Sequence, residues 1–419
     1  MLPPPCASSA RLSAAARTTR AARFRSHAAM RAYTDWVVGT ALPVWASAGF
    51  DHAAGRFRER LDATGAPVDL PHRAMVQARQ IYVFAHACHL GWFAEGGALA
   101  ERAMASLVRD FGVLSEHEAS VAFSIDRAGR VVDDTRDAYA HAFVLFALAW
   151  LHRLNGDPAL LRLAERVDAF VAARLVDPRH GGVFDAYPVS TRDKRQNPLM
   201  HLLEAYLALE RSAPGRGWLD RAATLVATFR ARLFDAKHGV LLEYFGEDWS
   251  PPADAARAGV FEPGHHFEWV WLLREYELLS GEDLGASGAR LYRVARDHGI
   301  ADDGLVFDEL TAPDLRVRKR SHRVWPHTEA IKAAAARSAQ GDAEAAAFGR
   351  GMARLLQAHF LDRPFVGGWV DHLDATHAPI VSYVPASTLY HLFFAAAEAA
   401  RGVVPAALPA AEPQQQVAR

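Results

Sequence analysis

Two imidazoles, a carboxylate and two indoles crowd into one short stretch, Pro263-Gly264-His265-His266-Phe267-Glu268-Trp269-Val270-Trp271. Read as a loop running into a helix start, the stretch sets His265 and Glu268 on one face, because residues three apart on a helix are neighbours. His266 then points about 100° away. An imidazole titrates near neutrality, and beside a carboxylate under aromatic rings it suits proton transfer on a polar, ring-shaped ligand. The same residues also suit a polar first helical turn followed by a core tryptophan stripe.

Similar polar sets recur along the chain. Arg79 lies in Val-Gln-Ala-Arg-Gln (76–80). Tyr139 and His141 lie in Ala-Tyr-Ala-His, and Asn197 is followed by His201 and Glu204. Trp325 to Glu329 reads Trp-Pro-His-Thr-Glu, and His391 closes Pro-Ala-Ser-Thr-Leu-Tyr-His (385–391). Aromatic faces with amide, imidazole and guanidinium donors fit a small polyhydroxylated ligand. Each residue also has a plainer reading. Arg79 could join two helices in a salt bridge, His201 could be a core histidine bonded to a carbonyl, and Glu204 and Glu329 could be buried partners of arginine. His86, His89 and His141 read as structural. The basic run 316–323 reads as a solvated loop, with phosphate binding as its alternative.

The elements that must position these residues repeat. Acidic-start, glycine-containing, aromatic-ended segments begin at Asp51, Asp177, Asp235, Asp297 and Asp362, with a diverged copy near Asp110. Their spacing of about 60 residues marks a repeat architecture, and each reads as a short β-hairpin. Between them, apolar residues recur at three- and four-residue steps. Helices are expected over 31–45, 73–92, 95–111, 135–154, 158–175, 198–211, 217–233, 265–279, 284–297, 325–339, 343–360 and 386–400. The last is as apolar as the others and needs cover on both sides, which an open solenoid with polar end repeats would not give it. The expectation is an all-α (α/α)6 barrel of six helical hairpins, with the polar sets at the starts of its inner helices.

Composition excludes much else. The 419-residue chain has a formal net charge of -1, so no nucleic-acid groove or basic membrane surface is expected. No apolar run approaches the roughly 18 residues of a membrane span. Two cysteines, Cys6 and Cys88, cannot build a disulfide framework or a cysteine zinc site, which fits the cytoplasm. Residues 1–29 carry five arginines and no acid; they resemble a transit peptide or precede a true start at Met30, and are set aside from the fold. Residues 402–419 are expected to be a disordered tail, leaving 30–401 as one catalytic domain.

Taken together, Gln77-Ala-Arg79-Gln80, Asn197-Pro-Leu-Met-His201-Leu-Leu-Glu204-Ala, Pro263-Gly-His265-His-Phe-Glu268-Trp269, Trp325-Pro-His-Thr-Glu329-Ala and Pro385-Ala-Ser-Thr-Leu-Tyr-His391 resemble the N-acylglucosamine 2-epimerase superfamily over 31–401. That superfamily includes D-mannose isomerases, sulfoquinovose isomerases and cellobiose 2-epimerases. The resemblance implies the (α/α)6 barrel, and His265 and His391 as the acid/base pair. It implies Arg79, Tyr139, Asn197, His201 and Glu268 as substrate-binding or supporting residues; Trp325 and Glu329 are added from their own motif. One departure is Met75, four residues before Arg79, where many members carry an aromatic.

The expected reaction is aldose–ketose interconversion, D-mannose to D-fructose in the simplest case. One histidine takes the C2 proton of an open-chain aldose, leaving a cis-enediol, and the proton returns to C1; return to the other face of C2 would make a 2-epimerase instead. Glu268 is expected to orient His265, and Arg79 to stabilise the developing oxyanion. No metal and no cofactor are expected, the partner is a small sugar, and the protein is expected to be a monomer or homodimer. The alternatives are an N-acylglucosamine or other sugar 2-epimerase, or a mannose-6-phosphate isomerase. Beyond these stand a glycoside hydrolase on the same barrel using carboxylates such as Glu204, Glu268, Glu329 or Asp371, and a non-catalytic carbohydrate-binding protein. No Walker-type glycine loop supports nucleotide binding.

Overall fold

The computed structural model describes residues 28–401. Twelve helices alternate between an inner and an outer ring. The inner ones are α2 (Ala74–His89), α4 (Ala138–Asn155), α6 (Gln196–Ser212), α8 (Pro263–Ser280), α10 (Val324–Ala339) and α12 (Leu389–Arg401). Five outer helices follow their inner partners: α3 (Gly96–Ser106), α5 (Pro158–Phe170), α7 (Trp218–Thr228), α9 (Gly285–His298) and α11 (Ala343–Leu355). The sixth, α1 (28–47), packs against α12, so the two ends of the described chain form one hairpin. Tyr33 on α1 donates to the backbone carbonyl of Leu392 on α12 at 2.6 Å. The (α/α)6 barrel is thus closed.

Burial explains the two rings. The inner helix α8 is buried continuously from Pro263 to Leu273, whereas the outer helix α7 buries only Trp218, Ala222, Leu225 and Val226 along one stripe. Local signals set the ends. Asp137 caps α4 by accepting the Ala140 N–H at 2.7 Å, and Gly156, at φ 72°, closes it in the left-handed region.

Each inner helix is entered through a two-residue strand that pairs with the hairpin of the next repeat. Thus 72–73 pairs with 124–125, 136–137 with 186–187, 194–195 with 244–245, and 322–323 with 372–373. Val260–Phe261 pairs with 310–311, and Val384–Pro385 returns to Arg60–Leu61, so the circuit has no free end.

A second device locks hairpin to helix. At the fourth position of α4, α8 and α10 stand His141, His266 and His327, whose Nε2 atoms accept the N–H groups of Val121, Leu241 and Val306 at 3.2, 2.9 and 3.0 Å. Gln77 does the same on α2, accepting from Phe57 N–H at 2.8 Å and donating back to its carbonyl at 2.9 Å. These imidazoles must stay neutral to accept. Burial pushes His141 down to about 4 and His266 and His327 to about 3.

Three expectations change. Pro263 and Gly264 are the first two residues of α8 rather than a preceding loop; proline there loses no helical hydrogen bond. The run 316–323 is solvent-exposed over much of its length, as expected, but is not a loop. Arg316–Lys319 forms a strand beside Glu309–Thr311, Arg318 and Lys319 pair with Glu309, and Arg323 pairs with Glu262 and Asp308. Residues 28 and 29, set aside with the N-terminus, belong to α1, whereas 1–27 and 402–419 lie outside the described residues. Among the described residues no helix is long and apolar enough to cross a membrane.

Candidate active site

The second residue of each inner helix, or of the short turn preceding α12, faces one mouth of the barrel: Met75, Tyr139, Asn197, Gly264, Trp325 and Ser387. Gly264 has a steric reason. A Cβ there would stand 2.6 Å from the Trp325 indole, so the missing side chain admits the ring. Trp325 in turn packs on both expected acid/base residues, with ring centroids 4.9 Å from His265 and 5.5 Å from His391.

Each of these histidines is held through Nδ1 by a carboxylate, leaving Nε2 without a partner among the described residues. His391 Nδ1 stands 2.8 Å from Glu329 Oε1. His265 Nδ1 stands 2.9 Å from Glu243 Oε1. Glu243 is fixed by the Gln196 amide, which donates to its Oε2 at 2.9 Å, while Gln196 accepts from Trp269 at 2.9 Å. Glu262 stands a further 3.8 Å from His265 and is paired with Arg323.

The two rings are pushed in opposite directions. Burial disfavours charge on His265, but Glu243 and Glu262 overcome it and raise the ring to about 9. For His391 burial is reinforced by Arg79 and Lys332, and the ring falls well below its ordinary value. At neutral pH the pair is therefore one imidazolium and one imidazole.

Among the described residues Arg79 has no carboxylate partner. It donates to the Ser387 carbonyl at 3.0 Å and to the Tyr139 hydroxyl, and lies over the rings of Phe143 and Tyr390 at 4.2 and 4.8 Å. His201 Nδ1 stands 3.1 Å from Glu204, which also accepts from the Tyr390 hydroxyl at 2.6 Å. Burial drives His201 down to about 4. Asn197 sits half-buried at the rim with its Oδ1 unpaired.

Glu268 differs from its expected part. It makes no hydrogen bond to His265; that place is taken by Glu243, 22 residues upstream and outside every motif. Both Glu268 oxygens are buried and unpartnered, and burial, then Glu329, hold the carboxyl well above its ordinary range. A buried, protonated carboxyl can donate to one ligand hydroxyl and accept from another. Glu329 is occupied by His391 and Lys332 rather than by arginine. His141 is bonded to backbone through both ring nitrogens, 2.7 Å from the Asp137 carbonyl, and faces no ligand. Glu243, Lys332 and Tyr390 are the site residues that sequence reasoning missed.

The model of the N-acylglucosamine 2-epimerase (GlcNAc 2-epimerase) family matches residues 55–395. A mannose-6-phosphate isomerase of Rhizobium meliloti is 32% identical over 369 residues, covering 86% of this chain and 94% of that protein. A D-mannose isomerase of Thermobifida fusca is 30% identical, covering 76% and 82%. Among solved structures, the cellobiose 2-epimerase of Spirochaeta thermophila superposes with a TM-score of 0.78 at 24% identity, covering 91% of this chain and 98% of that one.

Proposed function

The chain belongs to the N-acylglucosamine 2-epimerase family and is a sugar isomerase or epimerase; from that premise we propose that it interconverts an aldose and its 2-ketose, D-mannose and D-fructose in the simplest case. What supports this reading is that two imidazoles, each held through Nδ1 by a carboxylate, pack on the same Trp325 ring, with charge favoured on His265 and disfavoured on His391. Environments that push two titratable groups apart assign the acid and the base.

In the open-chain aldose the C1 carbonyl acidifies the C2 proton. Neutral His391 takes that proton through Nε2, while the His265 imidazolium donates one to O1, giving a cis-enediol. His265 then recovers a proton from O2, and His391 returns its proton to C1. The ketose leaves with both rings restored to their starting states, and no net proton is consumed. Arg79, held by Tyr139 and Ser387, would stabilise negative charge as it develops on oxygen. Trp325 offers a flat wall, and Glu268, His201 and Asn197 offer partners for hydroxyls.

The second reading is 2-epimerisation. It is supported by the cellobiose 2-epimerases among the relatives, and the same two imidazoles would serve it if the proton returned to the other face of C2. A hydrolase is disfavoured because Glu204 and Glu329, two of its candidate carboxylates, are engaged by His201 and His391. Work in the cytoplasm as a monomer or homodimer, on a sugar without metal or cofactor, belongs to the same proposal.

The test is incubation in deuterated water with D-mannose, mannose 6-phosphate, N-acetylmannosamine and cellobiose. Isomerisation yields fructose or its 6-phosphate carrying deuterium at C1, with exchange at C2 of the aldose. Conversion of cellobiose or N-acetylmannosamine to its C2 epimer selects the second reading, and absence of both turnover and C2 exchange on every aldose overturns both.

A further inference from the structure

Lys332 is wholly buried on α10, one helical turn from Glu329. Its Nζ stands 2.9 Å from Glu329 Oε2, while the other oxygen of the same carboxylate, Oε1, stands 2.8 Å from His391 Nδ1. The ammonium rests over the Phe394 and Trp271 rings at 4.1 and 4.5 Å. Placing a cation in that position is costly, and packing alone would be met by an apolar residue. The barrel offers its own control. His265 also has Nδ1 on a carboxylate, at 2.9 Å from Glu243, but no lysine stands behind that carboxylate. The two rings differ in the charges around them: Glu243, Glu262 and Glu268 face His265, whereas Arg79 and then Lys332 act on His391.

We propose that Lys332 is a positioning residue: it cancels the charge of Glu329, so that Glu329 fixes the tautomer and aim of His391 without loading the ring with a proton. The proposal rests on the reading of His391 as the base. A carboxylate beside an imidazole ordinarily favours the charged ring; paired with an ammonium, it keeps its hydrogen-bonding geometry and loses most of that pull. The other groups around His391 do not substitute for the lysine. From α2 come Tyr82 and Arg79; the Arg79 charge also lowers His391, but its donors go to Tyr139 and Ser387 and none reaches Glu329. From α6 come His201 and Glu204, which engage one another and Tyr390 of α12. From α8 comes Glu268, and from α1 Tyr33, bonded to backbone. Among the described residues the lysine is thus the one Lys or Arg side chain placed on Glu329 itself.

The test is ¹⁵N-histidine NMR of the full-length protein, with His391 assigned by the signal lost in H391N. In the wild type, His391 is expected to stay neutral and Nδ1-protonated at neutral pH. In K332M its midpoint, and the acid limb of kcat/KM, are expected to rise by about one pH unit or more. The double variant E329Q/K332M, in which the lost cation no longer faces an anion, returns the midpoint towards the wild-type value. A wild-type His391 that titrates at or above an ordinary imidazole overturns the proposal. So does a K332M in which activity falls equally at every pH with the limb unmoved, or a double variant that keeps the raised midpoint. If K332M does not fold, the wild-type titration and the double variant decide. Turnover surviving in H391N would instead overturn the role of His391 as base, while the NMR midpoints still judge Lys332.

Discussion

Glu243 and His265 meet at 2.9 Å although one lies in a rim hairpin and the other in the first turn of the following inner helix. The contact decides which imidazole carries the proton. His265 is raised to about 9, so its charged form, the acid of the proposed reaction, persists through neutral pH and is lost as pH passes about 9. Glu243→Gln should therefore bring the basic limb of kcat/KM down by about one unit or more. Linkage gives a second readout. A raised pKa in the folded state stabilises most below the unfolded imidazole value of about 6.5 and ceases to do so above about 9. The Tm loss of Glu243→Gln should accordingly be larger at about pH 6 than above pH 9. A basic limb that stays in place would contradict the pairing.

Removing either imidazole should silence turnover without unfolding the barrel. His265→Asn and His391→Asn are each expected to lower kcat by about 10²-fold or more, the usual contribution of a positioned acid or base, with circular dichroism unchanged. Either variant turning over near the wild-type rate would refute the role given to that residue.

Gly264→Ala tests the indole wall. The new methyl would meet the Trp325 ring at 2.6 Å and Pro326 Cβ at 3.0 Å, so the ring must move. Overpacking of this kind costs about 1–3 kcal/mol. A lower Tm together with a higher KM for sugar is expected; an unchanged KM would show that Trp325 does not line the bound substrate.

His141→Ala should separate stability from chemistry. It leaves the Val121 N–H buried without its acceptor, a loss of about 1–3 kcal/mol. Thermal unfolding should show this, while kcat measured well below the transition stays near the wild-type value. A matching collapse in kcat would place His141 in the reaction after all.

The helices were legible because apolar residues at three- and four-residue steps mark them whatever their partners, and the inner helices begin within two or three residues of their expected starts. The rim was less legible. Strands of two residues have no period to read, and their partners lie in the following repeat. Pro263 and Gly264 carry the signals of a break, yet at the head of a helix both are compatible with helical backbone, and only the position of Trp325 explains the glycine. His265 and His391 stood out through neighbouring aromatics and motif. Glu243 stood in an ordinary-looking alternation, Leu-Leu-Glu-Tyr-Phe, and nothing local pointed it at an imidazole. Lys332 left a trace: it is a lone charge within Ala-Ile-Lys-Ala-Ala-Ala on a helix otherwise destined for burial, three residues after Glu329.

The helix that seals the ring against α1 is also the one that bears His391. A ribosome making this protein therefore delivers five helical pairs before it releases the residue that would make them useful. A product stalled short of that point lacks the keystone and the proposed base together, so premature termination is expected to yield silent fragments rather than partly competent enzymes.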